Sequence, residues 1–188
     1  MALAWKIIYN RITTKPGQQR PGCLVYWVRE LRDKDMHIEQ LDTELMEWLD
    51  GGRLDTKQHE AMQLLTVTDG QWAHTAMISM GEVVAISPTC LRLALWQGTQ
   101  TSMNMMETGK ATLIAIHGQR LLHIQLGVRP LPALAEAVHP RDRYDCNIRH
   151  IRIDEAPYAE ITSGITFQLK DQAGALARWA ATIEDLKK

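Results

Sequence analysis

The feature that most restricts this chain lies between residues 62 and 128, where short apolar runs alternate with turn residues. Met62–Thr68 is followed by Asp69-Gly70, a hairpin signal because glycine accepts the positive φ that tight turns need. Gln71–Ser79 reads as the returning strand, Val83–Ser87 as the next, and Pro88-Thr89 turns the chain into Leu91–Trp96, which Gly98 closes. Thr101–Thr108 is a short Met-rich helical piece that Gly109 can cap. Lys110–His117 follows as a strand buried on both faces, and Gly118 turns it. Leu122, Ile124, Leu126 and Val128 then alternate with His123, Gln125 and Gly127, the period of a half-buried strand. Connections this short join antiparallel neighbours, since parallel neighbours need a long crossover.

The flanks complete the pattern. Ile38, Leu41, Leu45 and Leu49 predict a helix over 37–50, stopped by Gly51-Gly52. Pro130 and Pro132 are expected to end the preceding strand, and Leu134–Val138 to form one or two helical turns. Asn147–Asp154 alternates as a strand, and Ile165–Leu169 reads as the last one. Asp171 is placed to cap a final helix with a stripe of Leu176, Trp179, Ile183 and Leu186. The sum is a mainly β fold, a β-barrel of six or seven mostly antiparallel strands with flanking helices; closure removes exposed sheet edges.

Residues 1–35 form an N-terminal extension of unclear role, ahead of a barrel domain over 36–188. They read either as a hairpin added to the domain or as sequence upstream of a natural start at Met36.

Charge excludes some partners. Lys and Arg total 21 against 22 Asp and Glu, a formal net charge of -1, so there is no electrostatic footprint for nucleic acid or an anionic membrane. Nothing approaches the roughly 18 consecutive apolar residues of a membrane span. Cys23, Cys90 and Cys146 are distant and odd in number, which reads as reduced thiols in a cytoplasmic protein. No P-loop, dinucleotide fingerprint, nucleophile motif or metal spacing occurs. His117 and His123 flank a turn and read as exposed, and nothing in sequence activates Cys90.

The chemistry concentrates at Gly98–Asn104, a strand-to-helix junction rich in hydroxyls. By itself such a segment is a turn with Thr99 or Thr101 as helix cap. The order Leu64-Leu65-Thr66-Val67, Asp69-Gly70, His74–Ser79, Leu93–Trp96, Gly98-Thr99-Gln100-Thr101-Ser102 with Asn104, and Gly109–Leu113 resembles the FMN-binding split barrel of the pyridoxamine 5'-phosphate oxidase-like superfamily. The resemblance covers about residues 58–130. It implies a six-stranded antiparallel split barrel working as a homodimer, with FMN in the cleft between subunits. Thr75, Ala76 and Met77 would line the flavin, largely through backbone, and Thr99, Gln100, Thr101, Ser102 and Asn104 would grip its phosphate.

The chain departs from the better-known members at the positions where they carry Arg and Lys: here stand Gln100, Thr101 and Thr75. The C-terminal segment that closes the vitamin oxidase site is also not evident, which argues against pyridoxamine phosphate oxidation. Hydroxyls, the Gln100 amide and main-chain N–H groups at a helix start still supply donors, about half as strong as charged ones. Micromolar FMN affinity, on the order of −8 kcal/mol, follows.

The expected function is therefore an FMN-dependent oxidoreductase acting on a small organic substrate or a reduced nicotinamide, with no catalytic acid or base identified. The alternative is a non-catalytic module sensing or holding flavin or haem, or a cofactor-free scaffold. The bland readings are a rim histidine for His74, an interface aromatic for Trp96, packing for Met103, Met105 and Met106, and a solvated basic face for Arg141, Arg143, Arg149 and Arg152. A further reading gives that basic cluster a dimer-related contact to the cofactor phosphate.

Overall fold

The computed structural model describes residues 36–155 and 157–188, so the readings of residues 1–35, Cys23 included, lie outside the described residues. The elements are β1 (Met36–Ile38), α1 (Thr43–Trp48), β2 (Glu60–Val67), β3 (Ala73–Ser79), a 3-10 turn (Met80–Glu82), β4 (Val83–Ser87), β5 (Cys90–Leu95), α2 (Gln100–Thr108), β6 (Lys110–His117), β7 (Arg120–Leu131), β8 (Asp142–Asp154), β9 (Ile165–Thr166) and α3 (Gln172–Lys187). One mainly β, wholly antiparallel sheet runs β3-β2-β6-β7-β8-β5-β4, with β1 paired to β8 and β9 to β2. Nine strands are present among the described residues, against the six or seven expected; β1 was not expected, and β9 is a short remnant of the strand read over 165–169.

The two ends of this sheet, β3 and β4, are consecutive in the chain and joined only by Met80–Glu82. A connection that short keeps the ends close, so the sheet curls. No ladder joins β3 to β4 among the described residues, and the barrel stays split at that seam.

Strand alternation sorts the residues into a core face and an outward face. Ala76, Leu64, Leu113, Ile124 and Ile151 stand opposite one another across β3, β2, β6, β7 and β8. The last four are fully buried and anchor one continuous apolar cluster. The rows on either side point outward: Met77, Gln63, Ile114 and His123 in one, Thr75, Leu65, Thr112 and Gln125 in the other.

The helices close the remaining sides. Asp42 caps α1 by accepting from the Leu45 amide at 2.8 Å, and α1 places Leu45, Trp48 and Leu49 in the core. α1 is shorter than the helix predicted over 37–50, because Met36–Ile38 adds a strand to the edge of β8 instead. α3 packs on the 3-10 turn, β4 and β5, with Trp179, Ile183 and Leu186 buried as its stripe predicts and Asp171 accepting from the Gly174 amide. There Gly81 has no room for a side chain, because a Cβ would meet the Trp179 ring.

Three further expectations change. β7 continues through Pro130 to Leu131, because beyond Gly127 its only ladder partner is β8. The missing proline N–H then interrupts no second ladder. Leu134–Val138 is a turn, held by the Ala137 amide donating to the Leu134 carbonyl at 3.3 Å, and not a helix. The last strand reaches only from Ile165 to Thr166.

Paired carboxylates make the fold acid-sensitive. Burial alone would raise the Asp145 carboxyl; hydrogen bonds from Arg129, Cys90 and Arg92 outweigh it and hold it below the usual value. Asp42 and Asp50 are lowered in the same balance, but they are more exposed and contribute less. A depressed folded pKa gives stability that is complete above the ordinary aspartate pKa of about 3.9 and is lost as pH falls through the lower folded value. Urea midpoints should be flat from about pH 7 to 5 and fall below about pH 4. Asp145→Asn should flatten that acid limb; an unchanged limb would assign it to other groups.

Candidate functional site

α2 packs against β2, β3, β6 and β7. Thr99 is its N-cap, with Oγ1 accepting from the Ser102 amide at 3.3 Å and its carbonyl accepting from Met103 at 3.0 Å. Gly109 ends the helix at φ 63°, a left-handed conformation that glycine adopts without strain, and donates to the Met105 carbonyl. The hydroxyl-rich sequence thus forms a short capped helix, as the glycine and threonine signals predict.

The side chains at this junction face three ways. Thr101 is buried, and its hydroxyl lies 3.1 Å from His74 Nε2 on β3. Ser102 is buried and donates to the Asp142 carboxylate, so the hydrogen in its 2.5 Å contact with Tyr144 comes from the tyrosine. Asn104 is buried and donates to Thr66 Oγ1 at 2.9 Å, while its carbonyl oxygen accepts from Gln100 Nε2 at 2.8 Å. Thr99 and Gln100 remain nearest to solvent. The first-turn amides of Gln100 and Thr101 are donors that helix geometry leaves without an intrahelical acceptor.

Sequence reasoning missed Asp142 and Tyr144. Neither is among the residues that the sequence singles out, yet both meet Ser102 under the helix start. Burial raises the Tyr144 phenol above its ordinary value, opposed by the Ser102 bond. The alternation of β8 was a usable signal: Asp142 and Tyr144 lie two apart and so share a face.

The other half of the candidate site lies on β3. Thr75 and Met77 point outward and are exposed, whereas Ala76 faces the core row. β3 pairs with β2 alone among the described residues, so its other edge carries unpaired N–H and C=O groups. His74 ties this edge strand to the first turn of α2.

The outward face also holds a groove of about 690 Å³ between the ends of β2, β6 and β7, with Lys110 and Arg149 among its lining residues. Arg149 lies close over Gly127, in space a Cβ would fill.

Several bland readings are refined. Trp96 is half-exposed beneath the Arg141 guanidinium, 3.3 Å from the ring centroid. Met105 is buried while Met103 and Met106 are exposed. His117 and His123 are not freely exposed: His117 stacks on Trp48 at 4.5 Å, and His123 Nε2 lies 3.1 Å from the Asp154 carboxylate and 3.0 Å from the Arg152 guanidinium. Burial raises the Cys90 and Cys146 thiols. Among the described residues no group of three or more His, Cys, Asp or Glu could hold a metal, and no helix is long and apolar enough to cross a membrane.

Fold and site together define a mainly β antiparallel split barrel with an open strand edge tied to a capped helix start. The chain is 43% identical over 153 residues to YclD, an uncharacterized protein of Bacillus subtilis (strain 168), a match covering 81% of this chain and 99% of that one. It belongs to the same family as that protein. No family model matches it.

Among solved structures it is similar to a putative pyridoxamine 5'-phosphate oxidase from Lactobacillus delbrueckii (TM-score 0.49, 12% identity, 63% of this chain and 98% of that one). It is also similar to HupZ of Group A Streptococcus (TM-score 0.46, 11% identity, 68% and 100%) and to an FMN-binding protein from Syntrophomonas wolfei (TM-score 0.41, 17% identity, 72% and 99%). None of these similarities assigns a ligand to this chain.

Proposed function

We propose that this protein is an FMN-binding split barrel, active as a homodimer, whose flavin lies along the open edge of β3 with its phosphate toward the start of α2. The observation that carries the reading is the joining of that free edge to the first turn of α2 through His74 and Thr101. A flavin ring carries donors and acceptors along one edge, and a strand edge offers the complementary set. The Gln100 and Thr101 amides, with the Thr99 and Gln100 side chains, offer an anion what helix starts generally offer. Ser102 and Asn104 would hold this turn from inside, through Asp142, Tyr144 and Thr66.

The residues present fit FMN, with one cost. Asp142 brings a carboxylate to the same helix start, which opposes a phosphate, and no cation stands in the turn. Lys110 and Arg149 lie instead on the outward face. In a homodimer joined through that face they would be available to the other copy's phosphate. Bound there, the flavin would supply hydride or electron exchange, with a reduced nicotinamide or small organic molecule as the other reactant. The chain's own part is to hold the ring's polar edge with β3 backbone and to anchor the phosphate.

FMN should bind with a Kd near micromolar and raise the melting temperature, because a ligand for the native state stabilises it. His74→Ala should weaken FMN about tenfold by releasing Thr101, and Arg149→Ala by a similar factor as a charge-assisted contact is lost. A protein that neither takes up FMN nor is stabilised by it would overturn the reading. The second reading, a scaffold that has lost its cofactor, is favoured by one observation: Thr101, Ser102 and Asn104 already have partners within the chain. Bleaching of bound flavin by a reduced nicotinamide, with recovery in air, would separate a reductase from a binding module.

A further inference from the structure

Arg143 presents a physical anomaly. It is 8% exposed, yet among the described residues no carboxylate lies within 4.0 Å of it. Its Nη1 donates to the Pro132 carbonyl at 3.2 Å, and among the described residues its buried Nε has no hydrogen-bond partner. Buried charges are normally paired, and arginine cannot escape by losing its proton. Burial and the neighbouring Arg92 both draw this guanidinium below its ordinary value, with Asp185 opposing.

The surroundings show what is missing. Arg143 lines a cavity of about 20 Å³ where the segment before β8 meets α3 and the end of β5. Arg141 lines the same cavity; its guanidinium lies over the Trp96 ring and donates to the Pro140 carbonyl, again with no carboxylate within 4.0 Å. Gln97 and His139 add polar groups. The acidic member of the lining, Asp185, is paired to Lys188 at 2.7 Å. The remaining lining is small and apolar, chiefly Ala94, Ala133, Leu134 and Ala137. None of these residues lines the outward groove or belongs to the junction at the start of α2.

We propose that this cavity is a binding site for a small carboxylate no larger than acetate, whose carboxylate serves as the counter-ion that Arg143 lacks among the described residues. The guanidinium fork matches a carboxylate better than it matches a spherical halide. A cavity this size admits only one or two water-sized groups, which suits a carboxylate head. The alanine and leucine lining closes round that head and leaves no room for a longer alkyl tail, so formate and acetate should bind more tightly than butyrate. The inference stands apart from the flavin reading, since the two sites share no residue.

The test uses the full chain, titrated with sodium formate, acetate, propionate or butyrate at constant ionic strength against chloride and sulfate. The expected result is a saturable rise in melting temperature of about 5–10 °C at a 100-fold excess over Kd. Formate and acetate should bind several-fold more tightly than butyrate, while chloride and sulfate have no saturable effect. Arg143→Gln should abolish the response and Arg143→Lys should weaken it at least tenfold. If Arg143→Gln does not fold, Arg141→Gln should reduce carboxylate affinity several-fold in a folded protein. Equal stabilisation by every salt, butyrate binding as tightly as formate, or a full response in Arg143→Gln or Arg141→Gln would overturn the proposal.

Discussion

Gly81→Ala is expected to lower the melting temperature by about 6–12 °C, the effect of about 3 kcal/mol in a chain of this size. Gly81 sits in the 3-10 turn at the barrel's seam, and an added methyl would occupy the space of the Trp179 ring. Trp179 is buried, rigid and wedged between α3 and the sheet ends, so relief requires moving the helix. Overpacking of a well-packed core costs about 1–3 kcal/mol, and a ring that cannot turn aside puts this site at the top of that range. Trp179→Ala should cost about 3–5 kcal/mol by opening a cavity. In the double variant the ring is gone but the Cβ at position 179, also in contact with the added methyl, remains, so the loss should be smaller than the sum of the two single losses without falling to that of Trp179→Ala alone. Thermal melts of the four proteins decide the point; additive losses would mean that Gly81 matters for something other than Trp179.

Ser102→Ala is the second large effect, and it separates two roles for one residue. The hydroxyl bridges the Asp142 carboxylate and the Tyr144 phenol, both pressed against it under α2. Removing it takes a donor from the half-buried Asp142 carboxylate and leaves the buried Tyr144 hydroxyl only the Ser102 carbonyl at 3.3 Å, at about 1–3 kcal/mol. Tyr144→Phe should cost a similar amount, and a double-mutant cycle should show coupling of about 1 kcal/mol or more, since the two hydroxyls share a bond. The proposed site gives Ser102 an anchoring role, so FMN affinity in the folded variant should stay within about threefold of the parent, far from the tenfold step that 1.4 kcal/mol represents. A much larger loss of affinity with unchanged stability would make Ser102 a direct phosphate ligand.

Much of the fold was legible because local signals and tertiary packing agree. Asp69-Gly70, Pro88-Thr89 and Gly118 mark turns that hold, and Lys110–His117 has the bounds predicted for it. Thr99 and Gly109 bound α2 as their side-chain and backbone chemistry requires. The misses share a cause. His37 and Ile38 open the helical pattern read over 37–50 but lie in a strand paired with β8, because an available strand edge outweighs a weak local preference. Pro130 looks like a stop and is not one, because only one of its neighbours is a strand.

The candidate site was legible in residue type but not in direction. Nothing along the chain tells that Thr101 would meet His74, that Ser102 would meet Asp142 and Tyr144 some forty residues on, or that Asn104 would meet Thr66. The four cations of the basic cluster likewise look alike in sequence. One lies over a tryptophan, one is buried without a counter-ion, one lines the outward groove, and one pairs with Asp154.

By itself the sequence determined where strands turn, which face of each is apolar, and where a short helix starts and stops, because those properties depend on residues a few positions apart. Only the tertiary structure decided the seam between β3 and β4, the free edge beside α2, and the partner of each buried polar group. Those depend on which distant strands pair, and pairing is settled by the packing of the whole core.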